Sequence, residues 1–235
     1  MISYAVVLGG GSGQRMGAGV NKVLLPIRGV PAIVRALAPF SALCRGAVVV
    51  ARAEEVEDMK TLLLRYGMSR FVVAVVAGGD TRQASVKKGM DALPADAEAI
   101  LVHDGARCLV TEEVIARVLG GVEKNGNAVA AVPVTDTIKR AQPDGAVLET
   151  LERAELYAMQ TPQGFLAADL FAAHEKAARE DYLGTDDAAL VEYLGKPVYL
   201  TEGSRENLKL TTPVDLAFAE AILRDREERE AIAGC

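Results

Sequence analysis

Short apolar runs at residues 5–8, 47–50, 71–76, 100–103 and 128–132 punctuate the first part of the chain. They are rich in Val and Ile and almost free of polar positions, as strands buried on both faces are. Segments 33–43, 54–66, 82–93 and 112–123 between them carry apolar residues at helical spacing. Strands alternating with helices predict an α/β architecture, a mostly parallel sheet flanked by helices. Thr111 is placed to cap the last of these helices, with Glu112 and Glu113 favouring its positive end.

After Pro133 the rhythm changes. Two polar runs, 138–141 and 147–150, flank Gln142-Pro143-Asp144-Gly145, a turn sequence with a mechanism in its Pro and Gly. This predicts an extruded β-hairpin arm with little apolar surface of its own, which needs something to pack on, such as another subunit. Helices are then expected near 167–179 and 186–194, a strand at 197–200, and a last helix started by Thr212 as cap and Pro213 in the first turn. The charged stretch 224–230 reads as a solvated helix end. With no repeat and no low-complexity linker, the expected organisation is a single domain over 1–235, with 134–157 as the arm.

Composition narrows the class. Half of the 235 residues are hydrophobic and a quarter charged, ordinary for a globular protein. The net charge of −6 argues against a broad nucleic-acid surface, so an anionic ligand needs a local cluster of cations. The three cysteines, Cys44, Cys108 and Cys235, show no metal-binding spacing and fit free thiols in a reducing compartment. No run reaches the roughly 18 apolar residues of a membrane span, and the first run is too short for a signal peptide. A cytoplasmic location without membrane partners is the expectation.

Candidate chemistry gathers where strands end, since open α/β sheets bind ligands beyond the carboxyl ends of their strands. After the first strand comes Gly9-Gly10-Gly11-Ser12-Gly13-Gln14-Arg15, with Lys22 beyond. Glycines let backbone N–H groups turn toward an anion, and Arg15 and Lys22 add full charges suited to phosphate. This is neither a Gly-x-Gly-x-x-Gly loop, because Met16 replaces the third glycine, nor a Walker A loop, because Asn21 precedes Lys22. Taken alone, such glycines also serve tight turns.

Gly78-Gly79-Asp80-Thr81-Arg82 with Ser85 follows the third strand, and Asp104-Gly105-Ala106-Arg107 the fourth. Asp104 is the candidate Mg²⁺ ligand, since Mg²⁺ takes one or two protein carboxylates plus substrate phosphates. It is equally placed to pair with Arg107 or cap a turn. Asp80 and Thr185 double as candidate helix caps. His103 is expected on a packed sheet face and His174 on a helix surface.

The glycine loop with Lys22, the Gly78–Ser85 segment, His103-Asp104-Gly105-Ala106-Arg107 and Asp136-Thr137-Ile138-Lys139-Arg140 together resemble the 2-C-methyl-D-erythritol 4-phosphate cytidylyltransferase family. Thr161-Pro162-Gln163, Thr185-Asp186-Asp187-Ala188 and Asn207-Leu208-Lys209-Leu210-Thr211 continue the match to the last helix. The resemblance implies a Rossmann-like nucleotidyltransferase fold and transfer of CMP from CTP to methylerythritol phosphate, with Mg²⁺ and release of pyrophosphate, in non-mevalonate isoprenoid synthesis. It implies Gly9, Gly10, Gly11, Gly13, Gly79, Asp80 and Ser85 around the nucleotide, Arg15, Lys22 and Lys209 as the catalytic cations, and Asp104 on the metal. Arg107, Thr137, Arg153, Thr161 and Thr185 would form the acceptor site. A homodimer is implied too, in which the arm brings Thr137 and Arg153 to the neighbouring subunit.

Cys108 stands where the family usually has proline, Val23-Leu24 where glutamine and an aromatic residue are common, and Gly9-Gly10 where two alanines are frequent. None of these removes a required charge. The alternatives are ribitol 5-phosphate cytidylyltransferase, which Arg153 and the Glu206–Lys209 run fit less well, and an inactive nucleotide-binding protein, which the intact set Arg15, Lys22, Asp104 and Lys209 disfavours.

Overall fold

In a computed structural model, which describes residues 1–10 and 21–233, the chain alternates strand and helix as the apolar pattern predicts. The first half contains β1 (Ser3–Leu8), a small ribbon of β2 (Pro26–Ile27) and β3 (Val30–Pro31), α1 (Ala32–Leu37), β4 (Gly46–Ala51), α2 (Val56–Arg65), β5 (Val72–Ala77), α3 (Arg82–Asp91) and β6 (Ala99–Asp104). The second half contains α4 (Glu112–Asn125), β7 (Asn127–Pro133), β8 (Lys139–Ala141), β9 (Val147–Thr150), β10 (Tyr157–Leu166), α5 (Ala167–Arg179), α6 (Asp187–Leu194), β11 (Leu200–Glu202) and α7 (Pro213–Ala233).

Seven strands form one sheet in the order β11-β7-β10-β6-β1-β4-β5. Strands β6, β1, β4 and β5 run parallel. From β1 the chain adds β4 and β5 on one side and then returns to place β6 on the other. The crevice beyond the ends of β1 and β6 is therefore the switch point where ligands bind in such sheets.

Side chains alternate across the sheet into two cores. Ala5, Val7, Val49 and Leu101 face Ile33, Leu37, Phe40 and Met59. Val6, Val50, Ile100 and Val102, with Phe165 of β10 beside Ile100, face Val86, Met90 and Leu170. All sixteen residues just named are essentially inaccessible, which explains why these strands lack the polar alternation of a one-faced sheet.

Several sequence expectations are corrected. The helix expected over 33–43 ends as an α-helix at Leu37 and continues as 3₁₀ over Ala38–Ala42, because Pro39 offers no N–H to the α ladder. Strand β10 breaks the pattern: it lies antiparallel between β6 and β7 although it contains Pro162. The proline is tolerated at a register shift between Met159 and Gln163, where the ladder is interrupted. The strand expected at 197–200 starts only at Leu200, while the Asn127 side chain takes up the Pro197 carbonyl and the Tyr199 N–H.

Caps differ as well. Thr81, not Asp80, caps α3, and Asp186, not Thr185, caps α6. Thr111 makes no capping bond at α4, and at the start of α7 the Asp215 carboxylate accepts from the Thr211 and Thr212 N–H groups. His174 is buried rather than on a surface, because α6 packs over its helix and presents Asp187. The 224–230 stretch is anchored as well as solvated: Arg226 and Arg229 pair with Glu206, and Glu227 with Arg28.

The hairpin forms as expected from β8 and β9, with every residue of both strands exposed. No helix among the described residues is long and apolar enough to cross a membrane.

Helix α3 approaches the sheet through Gly89, where a Cβ would lie 2.5 Å from Val6 Cγ1 and 2.8 Å from Val50 Cγ2. Alanine is the better helix former by about 1 kcal/mol, yet overpacking against two stiff valines costs about 1–3 kcal/mol. Gly89→Ala is therefore expected to destabilise the fold on balance. A higher urea midpoint for the variant would contradict this packing.

Candidate functional site

A cavity of about 420 Å³ opens at the switch point, lined by Gly10, Lys22, Gly79, Asp80, Arg82, Ser85, Asp104 and Lys209 among others. Each wall follows from local structure. Gly9 continues β1 by donating its N–H to the Val50 carbonyl, 2.7 Å away. Buried Asn21 is tied to the end of β1 and to Glu55: its Nδ2 donates to the Gly9 carbonyl at 2.6 Å and to Glu55 at 2.6 Å. Asn21 Oδ1 accepts the Val23 N–H and so caps the single 3₁₀ turn that starts with Lys22. Gly11, Gly13 and Arg15 lie outside the described residues.

The second wall is the turn before α3. Ser85 Oγ accepts the Gly79 N–H at 3.0 Å and donates back toward the turn, with the Thr81 carbonyl at 2.9 Å. A Cβ on Gly79 would meet Ala84 Cβ at 2.6 Å, so only glycine lets the loop close this tightly. Asp80 stays exposed at the mouth.

Asp104 ends β6 on the third wall. Its carboxylate accepts from Lys209 Nζ at 2.6 Å and lies 3.7 Å from Arg82 Nε. Burial works to raise its pKa, but Lys209 and Arg82 outweigh burial and hold it at about 2. The group is ionised throughout the neutral range. It stands apart from any cluster of three or more His, Cys, Asp or Glu among the described residues. A single ionised carboxylate at the edge of a cavity with two cations fits Mg²⁺ held jointly with substrate phosphates.

A hydrogen-bond chain fixes this strand end. The Asp104 N–H donates to Thr161 Oγ1 at 3.0 Å, and Thr161 Oγ1 lies 2.9 Å from His103 Nδ1. His103 Nε2 lies 3.1 Å from the Arg107 carbonyl, which can only accept. The imidazole therefore carries its proton on Nε2, and the Thr161 hydroxyl donates to Nδ1. Burial lowers the His103 pKa to about 4, keeping the ring neutral. Thr161 is buried with both functions of its hydroxyl engaged.

Lys209 is delivered by a loop pinned at both ends. Leu210 N–H donates to the Ala106 carbonyl at 2.9 Å. Fully buried Asn207 donates to the Thr161 carbonyl at 2.8 Å, and its own carbonyl accepts from Arg107 Nη1 at 2.7 Å. Arg107 also reaches the Met159 carbonyl, so its guanidinium braces the loop against β10. Cys108 is buried beside it, and burial pushes its thiol up to about 11.

The cavity thus gathers Gly10, Lys22, Gly79, Asp80, Ser85, Asp104 and Lys209. Arg107, Thr137, Arg153, Thr161 and Thr185 are not among its lining residues. Thr137 and Arg153 sit at the exposed base of the arm, where Arg153 Nη1 donates to the Thr135 carbonyl at 3.0 Å. Residues beyond the sequence-based set also build the site. Arg82 bridges Asp104 and Asp187, whose fully buried Oδ2 is 2.7 Å from Arg82 Nη1. Asn21 and Asn207 carry no charge, and although Asn207 opens the run that leads to Lys209, only the structure shows both as buried ties.

A glycine turn, a strand-end carboxylate and cations from distant segments, brought together at a switch point, define a nucleotidyltransferase site. The family model for IspD, 2-C-methyl-D-erythritol 4-phosphate cytidylyltransferase, matches residues 3–225. The chain belongs to this family. The relative of that name from Halalkalibacterium halodurans is 48% identical over 231 residues, covering 97% of this chain and 100% of the relative. One from Pelotomaculum thermopropionicum is 44% identical over 233 residues, 98% of each chain.

Solved structures agree. The 4-diphosphocytidyl-2C-methyl-D-erythritol synthase of Anaerococcus prevotii superposes with a TM-score of 0.82 at 28% identity, covering 95% of this chain and 98% of that one. The Thermus thermophilus cytidylyltransferase gives 0.76 at 32% identity, covering 93% and 98%.

The two shifted groups set pH windows for stability. His103 has a folded pKa below its unfolded value near 6.5, so its contribution is complete above pH 6.5 and is lost as pH falls toward 4. The Asp104 contribution is complete above about 3.8 and is lost toward pH 2. His103→Gln, which cannot titrate, should flatten the first window, by up to about 3 kcal/mol between pH 6.5 and 4. Chemical denaturation at stepped pH reads this directly, and equal slopes in the two proteins would remove His103 as the cause.

Proposed function

We propose that the protein transfers CMP from CTP to 2-C-methyl-D-erythritol 4-phosphate, giving CDP-methylerythritol and pyrophosphate, with Mg²⁺. The observation that carries this reading is Asp104, ionised between Lys209 and Arg82 in a cavity that Lys22 also lines. Family membership supplies the donor and the acceptor.

In this reading the base and ribose enter between Gly9-Gly10 and the Gly79–Ser85 turn, with Gly11 and Gly13 continuing the loop. The backbone-lined slot suits a pyrimidine by size. Arg15 and Lys22 hold the triphosphate. An acceptor phosphate oxygen attacks the α-phosphorus of CTP, the bond to the β-phosphate oxygen breaks, and pyrophosphate leaves with that electron pair. The nucleophile is already an anion, so the protein needs no general base. Its task is to bring anions together, align them and neutralise charge on the α-phosphate.

Lys209 and Lys22, both lining the cavity, supply positive charge, and Asp104 is the residue that would hold Mg²⁺. When bound, that ion adds charge neutralisation on the phosphates. Because Lys209 is the more exposed end of its pair with Asp104, it is free to turn toward an arriving anion. Thr185 and Arg107 flank the acceptor, with Thr161 behind Asp104 as the group that sets its backbone. Thr137 and Arg153 act from the arm of a second subunit. The exposed Val147 and Leu148 on the arm favour its packing on another copy of the chain. A single domain with this arm, working in the cytoplasm, completes the reading.

Pyrophosphate release with CTP and Mg²⁺ tests the acceptor. Turnover is expected with methylerythritol 4-phosphate and not with ribitol 5-phosphate; the reverse result would reassign the acceptor. Lys22→Ala should lower kcat by at least about 10²-fold with an unchanged melting temperature, and near-normal turnover would take Lys22 out of the mechanism. For the arm, Val147→Asp combined with Leu148→Asp should convert a dimer to a monomer in sedimentation equilibrium. A monomeric parent protein, or a dimer that survives both changes, would remove the arm from assembly.

A further inference from the structure

Thr185, an acceptor residue in the proposed reading, lies on a short segment, 181–186, between α5 and α6, whose residues are alternately exposed and half-buried. Its downstream side is held firmly. Gln163 Oε1 accepts the Asp187 and Ala188 N–H groups at 3.1 Å each, and Gln163 Nε2 donates to Asp186 at 2.8 Å. Its upstream side is held by α3, the helix whose first turn closes the nucleotide loop. Gln83 Nε2 donates to the Tyr182 carbonyl at 3.2 Å, and Gln83 Oε1 accepts the Gly184 N–H at 3.1 Å.

Tyr182 has other anchors, stacking on Tyr193 with centroids 3.9 Å apart and donating its N–H to Ala177. Gly184 is also confined, since a Cβ there would meet Leu190 Cδ2 at 2.7 Å. Between them Leu183 is exposed. The amide of Gln83 thus binds both peptide groups that flank Leu183, two residues ahead of Thr185. It does so from a turn whose neighbours serve the nucleotide side: Arg82 faces Asp104, and Ser85 locks Gly79.

We infer that Gln83 is a positioning residue for the acceptor: by clamping the backbone at Tyr182 and Gly184 it places Thr185 relative to the nucleotide loop. This rests on the reading of Thr185 as an acceptor-site residue. Gln83 itself does not line the cavity. Its loss should therefore leave the CTP side intact and loosen the acceptor side only.

Gln83→Met keeps length and packing but loses both hydrogen bonds, and Gln83→Ala loses the packing as well. Two hydrogen bonds, each in the lower part of the ordinary range of net worth, correspond to about a tenfold effect. Both variants should raise the KM for methylerythritol 4-phosphate about tenfold, with the CTP KM and kcat within about twofold of the parent. Independently of any substrate, amide hydrogen exchange at 183–185 should accelerate in both variants while the rest of α3 is unchanged.

Unchanged exchange at 183–185 would overturn the clamp, whatever the kinetics. Faster exchange with an unchanged acceptor KM, or with both KM values raised equally, would overturn the positioning role. If the parent protein itself fails to use methylerythritol 4-phosphate, the functional reading fails, and with it the acceptor role inferred for Gln83, while the exchange result still decides the clamp.

Discussion

The compensation of one buried carboxylate organises the ligand-binding end of this molecule. Asp104 sits at the end of β6, largely withdrawn from water, where an unpaired carboxylate would be strongly disfavoured. It stays charged because Lys209 and Arg82 converge on it from segments far apart in sequence. That convergence brings the loop before α7 and the first turn of α3 to the same rim. The ion pairs thereby preassemble cations where a nucleotide's phosphates would lie, and electrostatic preorganisation of this kind is the main resource of phosphoryl-transfer sites.

Strand β10 turns this local pairing into a rigid frame. Its Thr161 accepts the Asp104 N–H, its Gln163 holds the first turn of α6, and the Thr161 carbonyl takes a hydrogen bond from Asn207 in the Lys209 loop. One antiparallel strand inserted between β6 and β7 thus touches the metal-ligand candidate, the proposed acceptor-side segment and the loop that carries Lys209. His103 extends the same frame to the Arg107 carbonyl as a neutral ring, for burial opposes its charge. The departures from the usual family residues sit comfortably in this frame. Cys108 packs as a buried thiol in the core, and a Cβ at Gly9 would meet its neighbours no closer than 3.4 Å, so alanine and glycine both fit there.

Much of this was legible in the chain itself. The buried parallel strands announce themselves as apolar runs, the arm by its Pro-Asp-Gly turn, and the rim by glycines, a carboxylate and cations at strand ends. These signals are local, because period and turn chemistry depend on residues only a few positions apart. The order of motifs identified the family for the same reason. What escaped was contact between distant segments: Arg82 with Asp187, Asn21 with Gly9, Asn207 with Thr161, and His174 beneath α6.

Strand β10 shows the boundary most clearly. Its sequence, with Gln160, Pro162 and Gln163 at its centre, has neither apolar continuity nor clean alternation. It becomes a strand only because β6 and β7 offer it two edges and because its polar side chains find partners on the loops it crosses. The sequence by itself determined the α/β alternation, the arm and the candidate charges at the rim, all properties of short stretches of chain. Only the tertiary structure decided which of those charges meet, which hydroxyls are engaged as struts and which caps form, because each depends on a partner that folding alone brings within hydrogen-bond distance.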